Sequence, residues 1–353
     1  MKIAYFITAH GYGHGVRSCS IINQISPDVE IVLRTALPQQ FFLEELKHPF
    51  EICYADFDCG CIQSDSITVD IEETLRCYRK ISADNRRKLE SEVRWCKENR
   101  IDLIVSDITP FAFDIAASAG IPSAAISNFT WYDIYGEYLG QDAEFRPVLD
   151  EMYNQYRKAD IMLALSPPLP MNYFKQIVKI PLVGRTGVDK REQIYEKYQI
   201  EKGKKIGLIY VGDFGMNDAA WKNLETFTEW EFLGLHSIPG KPKNYHLVNK
   251  NLIGYQDLTA SVDVVISKIG YGVVAECMLN GTPLIYLPRD KFAEYPVLEA
   301  SVQNWGGGYL VPVNKFFSLN WEDALNTALS KGRLERLSSD GARFAARELE
   351  NLL

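Results

Sequence analysis

Two histidines and three glycines fall within six residues near the start of the chain, His10-Gly11-Tyr12-Gly13-His14-Gly15, and Arg17 follows. An imidazole titrates near neutrality and suits proton transfer. Glycines such as Gly11 and Gly13 let a backbone turn sharply and let a ligand come close. The helix expected after them would offer unpaired N–H groups to an anion. Arg17 would orient a phosphate or an acceptor anion. The plain alternative is a glycine turn with two capping histidines. The grouping favours chemistry for His14, and for His10 both readings stay open. Asp107 and Asn128, at the ends of two later strands, are counted with this acceptor or cleft group.

A second group lies far along the chain: Lys268-Ile269-Gly270-Tyr271-Gly272, then Glu276, then Gly281-Thr282-Pro283 and Pro288-Arg289. Gly270 and Gly272 would open a helix whose N-terminus can hold a diphosphate. Glu276, about a turn later, can accept hydrogen bonds from both hydroxyls of a ribose. Lys268 and Arg289 are candidate helpers on the same donor side. Gly212 and Gly215, in Val211-Gly212-Asp213-Phe214-Gly215, are candidates for lining the same diphosphate, or form an ordinary turn. A dinucleotide fingerprint fits poorly. Val16 stands where its last glycine belongs, and the second strand ends in Arg34-Thr35 rather than an acid. NADP is the cofactor that Arg34 would suit. Asp56-Phe57-Asp58 and the pair Cys59 and Cys61 are assigned no metal.

These groups need strands to hold them. Residues 2–8 are almost wholly apolar, as in a strand covered on both faces. A helix over 18–25 and a strand over 30–34 complete a βαβ unit. Further strands are expected at 101–106, 123–127 and 161–165, with helices at 71–99 and 111–119. A second series begins at 205–211 and continues with strands at 230–235, 245–248, 262–267 and 282–287, before a helical tail. The fold class is α/β, with two Rossmann-like doubly wound domains facing across a cleft. The expected division is an acceptor-side domain over 1–166, a linker over 167–182, marked by Pro167, Pro168, Pro170 and Pro181, and a donor domain over 183–334. A C-terminal helix over 335–353 is a candidate to pack back on the first domain. Such domains are expected to close on a donor.

The 353 residues suit two domains, and 46% hydrophobic with 24% charged residues is ordinary for globular chains. The formal net charge of −8 shows no basic excess for nucleic acid. Seven cysteines without a regular framework argue against a disulfide scaffold and for buried or half-buried thiols. No signal-peptide pattern and no apolar run of roughly 18 residues is present, so the expected compartment is the cytoplasm, with peripheral membrane contact left open.

The whole pattern resembles the GT-B glycosyltransferase superfamily. Gly270, Glu276, Gly281, Pro283 and Pro288 are similar to the donor signature of MurG-like enzymes, and Val273 departs from it where many relatives carry Thr. Gly13-His14-x-x-Arg17 resembles the acceptor-domain turn of these enzymes. It also resembles the turn of the UDP-sugar hydrolase of pseudaminic acid synthesis, where the histidine activates water. The chain resembles, too, the glycosyltransferase-like N-terminal region of plant L-arabinokinases, as a stand-alone version without the kinase part. Ser127-Asn128-Phe129-Thr130-Trp131 and Lys268-Ile269-Gly270-Tyr271-Gly272 carry that likeness. The resemblance implies sugar transfer from a nucleoside-diphosphate sugar, a UDP-sugar by preference, to an acceptor that the sequence does not identify. It implies inversion, no metal or other cofactor, and His14 as base. The alternatives are a UDP-sugar hydrolase and a non-catalytic nucleotide-sugar binding protein.

Overall fold

In a computed structural model, which describes residues 1–65, 67–211, 219–249 and 252–353, the chain forms two parallel sheets. The first contains β1 (Lys2–Ile7), β2 (Glu30–Thr35), β3 (Glu51–Tyr54), β4 (Leu103–Asp107), β5 (Ser123–Ser127), β6 (Ile161–Leu165) and β7 (Ile177–Ile180). Its order is β3-β2-β1-β4-β5-β6-β7. The second contains β8 (Lys205–Tyr210), β9 (Trp230–Gly234), β10 (Tyr245–Leu247), β11 (Val264–Lys268), β12 (Leu284–Leu287) and β13 (Gly308–Leu310). Its order is β10-β9-β8-β11-β12-β13, again parallel throughout.

Helices connect most successive strands, while β6 leads to β7 and β9 to β10 without one. The first sheet carries α1 (Tyr12–Ile22), α2 (Gln39–Glu45), α3 (Ile71–Glu98), α4 (Phe111–Ala119), α5 (Trp131–Gly136) and α6 (Arg146–Tyr156). The second carries α7 (Arg191–Tyr198), α8 (Tyr255–Ser261), α9 (Tyr271–Asn280), α10 (Tyr295–Asn304), α11 (Val313–Phe317) and α12 (Glu322–Lys331), and α13 (Gly341–Glu350) ends the chain. The central strands are continuous apolar runs because helices cover both faces: Ile3 to Ile7 and Val264 to Ile266 are buried. Local chemistry sets several ends. The Asp70 side chain accepts the Glu73 N–H to start α3, and Gly120 adopts a left-handed conformation that ends α4.

Three expectations need correction. The helix expected at 18–25 begins at Tyr12, so His14 lies in its first turn and Arg17 in its second. Gly13 and Gly15 are therefore helical, and Gly15 is there for packing: any Cβ would strike the Phe41 ring of α2. The stretch 167–182 is not only a linker, because residues 177–180 pair in parallel with β6 as the edge strand β7. Prolines flank this strand without interrupting it, as edge strands allow. The helical tail is two helices, α12 and α13, broken at Gly332, where φ is positive.

The chain crosses between the sheets just after β7 and returns with α13, which packs on α1. Ser26 N donates to Glu350 Oε1 at 2.7 Å and fixes that return. The crossing segment is held by α9: Gly187 N donates to Asn280 Oδ1, and Asn280 Nδ2 donates to the Arg185 carbonyl. These contacts place Arg185 between the domains.

Candidate active site between the two sheets

β1, β4 and β5 end side by side, and their carboxyl ends deliver a buried polar network. His14 Nδ1 lies 2.8 Å from Asp107 Oδ1. Arg17 grips the same carboxylate with two donors of one edge, Nε to Oδ2 at 2.7 Å and Nη2 to Oδ1 at 2.5 Å. Ser18 Oγ donates to Oδ2 as well. Arg17 also donates from Nη1 to Asn128 Oδ1 and from Nη2 to Ser127 Oγ, each at 2.7 Å. The spacing from 14 to 17 makes this possible, since residues three apart share one helix face.

Hydrogen counting assigns the imidazole. Arg17 Nη2 has two hydrogens, used by Asp107 and Ser127, and none remains for His14 Nδ1, which lies 2.8 Å away. The Nδ1 proton of His14 therefore goes to Asp107, and in the neutral ring Nε2 is the acceptor. Burial raises the Asp107 carboxyl pKa, but the Arg17 charge and the hydrogen bonds from Arg17 and His14 overcome it and bring it to about 2. The carboxylate is charged at any neutral pH.

His10 is different. Its Nδ1 accepts the Cys61 N–H at 3.0 Å, and its ring lies edge-on to Trp131 and stacked against Phe292. The left-handed backbone at Gly60, with no side chain, lets that loop reach the ring. Enclosure of the ring first, then the neighbouring His14, Arg289 and Lys268, push its pKa well below the usual range. His10 is a neutral Nε2–H donor. Asp58, which the sequence left without a metal, is a buried bracket accepting from Thr8 and Thr109.

On the opposite sheet, Gly270 precedes α9 in an extended conformation that any residue adopts, and no side chain caps the helix. A Cβ at Gly270 or Gly272, or at Gly11 or Gly13 on the first sheet, would meet nothing within 4 Å. Packing among the described residues therefore does not require glycine at these four positions. Glu276 is buried in the second turn of α9. Its Oε1 accepts from Arg185 Nε at 2.6 Å, and its Oε2 has no partner among the described residues. Burial raises its pKa against the pull of Arg185. Arg185 continues across to Glu45 at the end of α2, with Nη1 2.8 Å from both carboxylate oxygens. Lys268 is half-buried at the end of β11, and its charge acts on His10 and Asp65 of the first domain. Gly212 and Gly215 lie outside the described residues.

The two halves meet directly. Asn128 Nδ2 donates to Glu294 Oε2 at 2.8 Å, Tyr138 Oη donates to the Lys291 carbonyl at 2.8 Å, and the Arg17 guanidinium lies over the Tyr271 ring. The sequence reading brought His14, Arg17, Asp107 and Asn128 to one place. It missed Glu294, Arg185 and Glu45, whose partners are remote in sequence. The only local signal was an acid shortly before a helix, after the proline-ended strand β12.

No family model matches the chain. It is 29% identical over 360 residues to L-arabinokinase of Arabidopsis thaliana, covering 99% of this chain and 34% of that protein. It is 25% identical over 192 residues to the UDP-N-acetylglucosamine–N-acetylmuramyl-(pentapeptide) pyrophosphoryl-undecaprenol N-acetylglucosamine transferase of Christiangramia forsetii, covering 51% of this chain and 49% of that one. The chain thus spans between a third and a half of the curated relatives it matches. Among solved structures it is similar to the glycotransferase of kitacinnamycin, with TM-score 0.65 and 18% identity over 100% of this chain and 98% of that one. It is also similar to Phytolacca americana UGT2 complexed with UDP-2-fluoro-glucose and pterostilbene, with TM-score 0.61 and 13% identity over 99% and 94%. The calicheamicin glycosyltransferase CalG4 gives TM-score 0.60 and 15% identity over 99% and 93%. No helix among the described residues is long and apolar enough to cross a membrane. With two parallel α/β sheets and superposing on these enzymes over essentially its whole length, the chain has the GT-B glycosyltransferase fold.

Proposed function

We propose that the chain is a glycosyltransferase that moves a sugar from a nucleoside-diphosphate sugar, UDP by preference, to an acceptor held on the first domain. The observation that carries this reading is the His14–Asp107 pair at the carboxyl end of β1, linked through Arg17, Asn128 and Glu294 to the second domain. In this reading the diphosphate sits at the N-terminus of α9, beside Gly270, Gly272 and Lys268, and the helix stabilises the departing charge without a metal. Glu276 takes the ribose with its unpartnered Oε2. His14 Nε2 removes the acceptor proton while Asp107 holds the tautomer and stabilises the imidazolium. His10 is not the base, because its Nδ1 is occupied and its Nε2 carries the proton. Attack on the face opposite the leaving group inverts the anomeric carbon. Gly11 and Gly13 leave room at the acceptor side.

A hydrolase is the second reading. His14 is only 7% exposed, which favours a small acceptor such as water. Both readings are tested by incubating the protein with a panel of UDP-, GDP- and dTDP-sugars, with and without sugar and phenolic acceptors. Nucleotide release and the anomer formed would be followed by NMR. Inverted product on an acceptor supports transfer, and free inverted sugar supports hydrolysis. Absence of thermal stabilisation by every nucleotide and nucleotide-sugar would sink both.

A further inference from the structure

Arg289 stands just after β12 and is only 9% exposed. Its guanidinium carbon lies 3.5 Å from the centre of the Phe292 ring. Its Nε is buried and has no hydrogen-bond partner among the described residues. The nearest carboxylate oxygen is Glu294 Oε1, 3.9 Å from Nη1, too far for a hydrogen bond, and the other Glu294 oxygen is taken by Asn128. A guanidinium carries five N–H donors in a planar fork. Leaving the Nε of such a group buried and unbonded is costly, and native structures pair buried polar atoms. Stacking on an aromatic ring holds the fork in plane but supplies no acceptor.

We infer that Arg289 receives the carboxylate of an acidic sugar, carried either on the transferred sugar or on the acceptor. The position supports this. Glu294 and Asn128 link Arg289 to Arg17 and so to His14. The Phe292 ring that carries the guanidinium on one contact stacks with His10 on another. An anion held by Arg289 would join the same network as His14, the proposed base. A two-oxygen planar anion matches the fork through paired hydrogen bonds, which a point charge such as lysine does not reproduce. The diphosphate already has its proposed place at the N-terminus of α9. The inference rests on the nucleotide-sugar reading for the identity of the donor, but not for the anion.

The test is equilibrium binding to the wild-type chain, Arg289→Gln and Arg289→Lys, with melting temperatures for each. The ligands are UDP, UDP-glucose, UDP-glucuronic acid, UDP-galacturonic acid, and free glucuronic and galacturonic acids in the presence of UDP. If the carboxylate is on the donor, an acidic UDP-sugar binds the wild type at least about tenfold tighter than UDP-glucose. If it is on the acceptor, a free uronic acid binds the UDP-saturated protein. In either case Arg289→Gln removes the effect, Arg289→Lys restores only part of it, and affinity for UDP itself is unchanged. Arg289 has only the 3.9 Å ion pair with Glu294 and no hydrogen bond among the described residues, so its removal should lower the melting temperature little. The inference is overturned if the wild type ignores the carboxylate in every form, if Arg289→Gln weakens UDP equally, which would make Arg289 a phosphate ligand, or if Arg289→Gln melts far below the wild type, which would make the charge structural. Binding of a free uronic acid that depends on Arg289, with no nucleotide binding at all, would leave this inference standing and remove the nucleotide-sugar reading.

Discussion

His14 and Asp107 share one hydrogen bond, yet their removal should have opposite consequences. Asp107 retains two bonds from Arg17 and one from Ser18 when the imidazole is gone. His14→Ala should therefore melt close to the wild type while turnover falls at least about a hundredfold, the usual contribution of a positioned base. A loss of less than about tenfold in initial rate would place the base elsewhere. Asp107→Asn leaves Arg17 buried without its counter-ion, and breaking a buried pair in this way costs roughly 3–5 kcal/mol. Denaturant titration should show that loss at pH 7. The sign with pH follows from the depressed carboxyl. Its pKa is about 2 in the folded chain and ~3.9 when unfolded. Its stabilisation is thus complete above roughly pH 4 and disappears as the pH falls through 2. The difference between wild type and Asp107→Asn should narrow across that window. A gap that persists to the bottom of the window would show that the charge of Asp107 is not what stabilises the fold.

The strands that carry the site were readable because each is a short, unbroken apolar run ending in a polar residue: β1 before His10, β4 at Asp107, β5 at Ser127 and Asn128. The edge strands β7 and β13 were not readable, since they have few buried positions and little periodicity. The start of α1 was misplaced for a different reason. Glycine is a poor helix former, and three of the six residues from Gly11 to Val16 are glycine, so the sequence favours a turn. Contact with Phe41 decides in favour of the helix, and that contact is tertiary. Pairs such as Asn128 with Glu294 and Arg185 with Glu45 were beyond reach, because a single sequence carries no signal of which distant residues meet. The start of α9 offers an element-level test. Gly272 is helical, faces open space, and has no steric need to be glycine. Gly272→Val should fold with unchanged or slightly raised stability, as valine is the better helix residue. If the N–H groups there hold a diphosphate, the added side chain should weaken UDP binding by more than about tenfold, measured by calorimetry. Unchanged affinity in a well-folded variant would move the diphosphate away from α9.

At the scale of the whole molecule, the two domains are fastened over the site rather than separated by an open cleft. Asn128 bonds to Glu294, Tyr138 bonds to the Lys291 carbonyl, and Arg185 ties Glu45 of α2 to Glu276 of α9. The facing surfaces touch at these residues. On the proposed reading, a donor whose ribose reaches Glu276 parts these contacts as it enters. The Arg185–Glu45 pair is the part of this fastening that can be loosened with least damage. It is bidentate but only partly buried, and Glu45 is otherwise not a candidate binding residue. Such a pair contributes about 1 kcal/mol after screening by solvent. Glu45→Gln keeps the shape of the side chain and leaves Arg185 paired with Glu276, so the population of separated domains should rise about fivefold. Stopped-flow association of a UDP-sugar should then accelerate by about the same factor, with only a small fall in melting temperature. The acceleration should shrink at high salt, where the wild-type pair is itself weakened. An association rate that Glu45→Gln leaves unchanged would mean that ligands reach Glu276 without parting the domains.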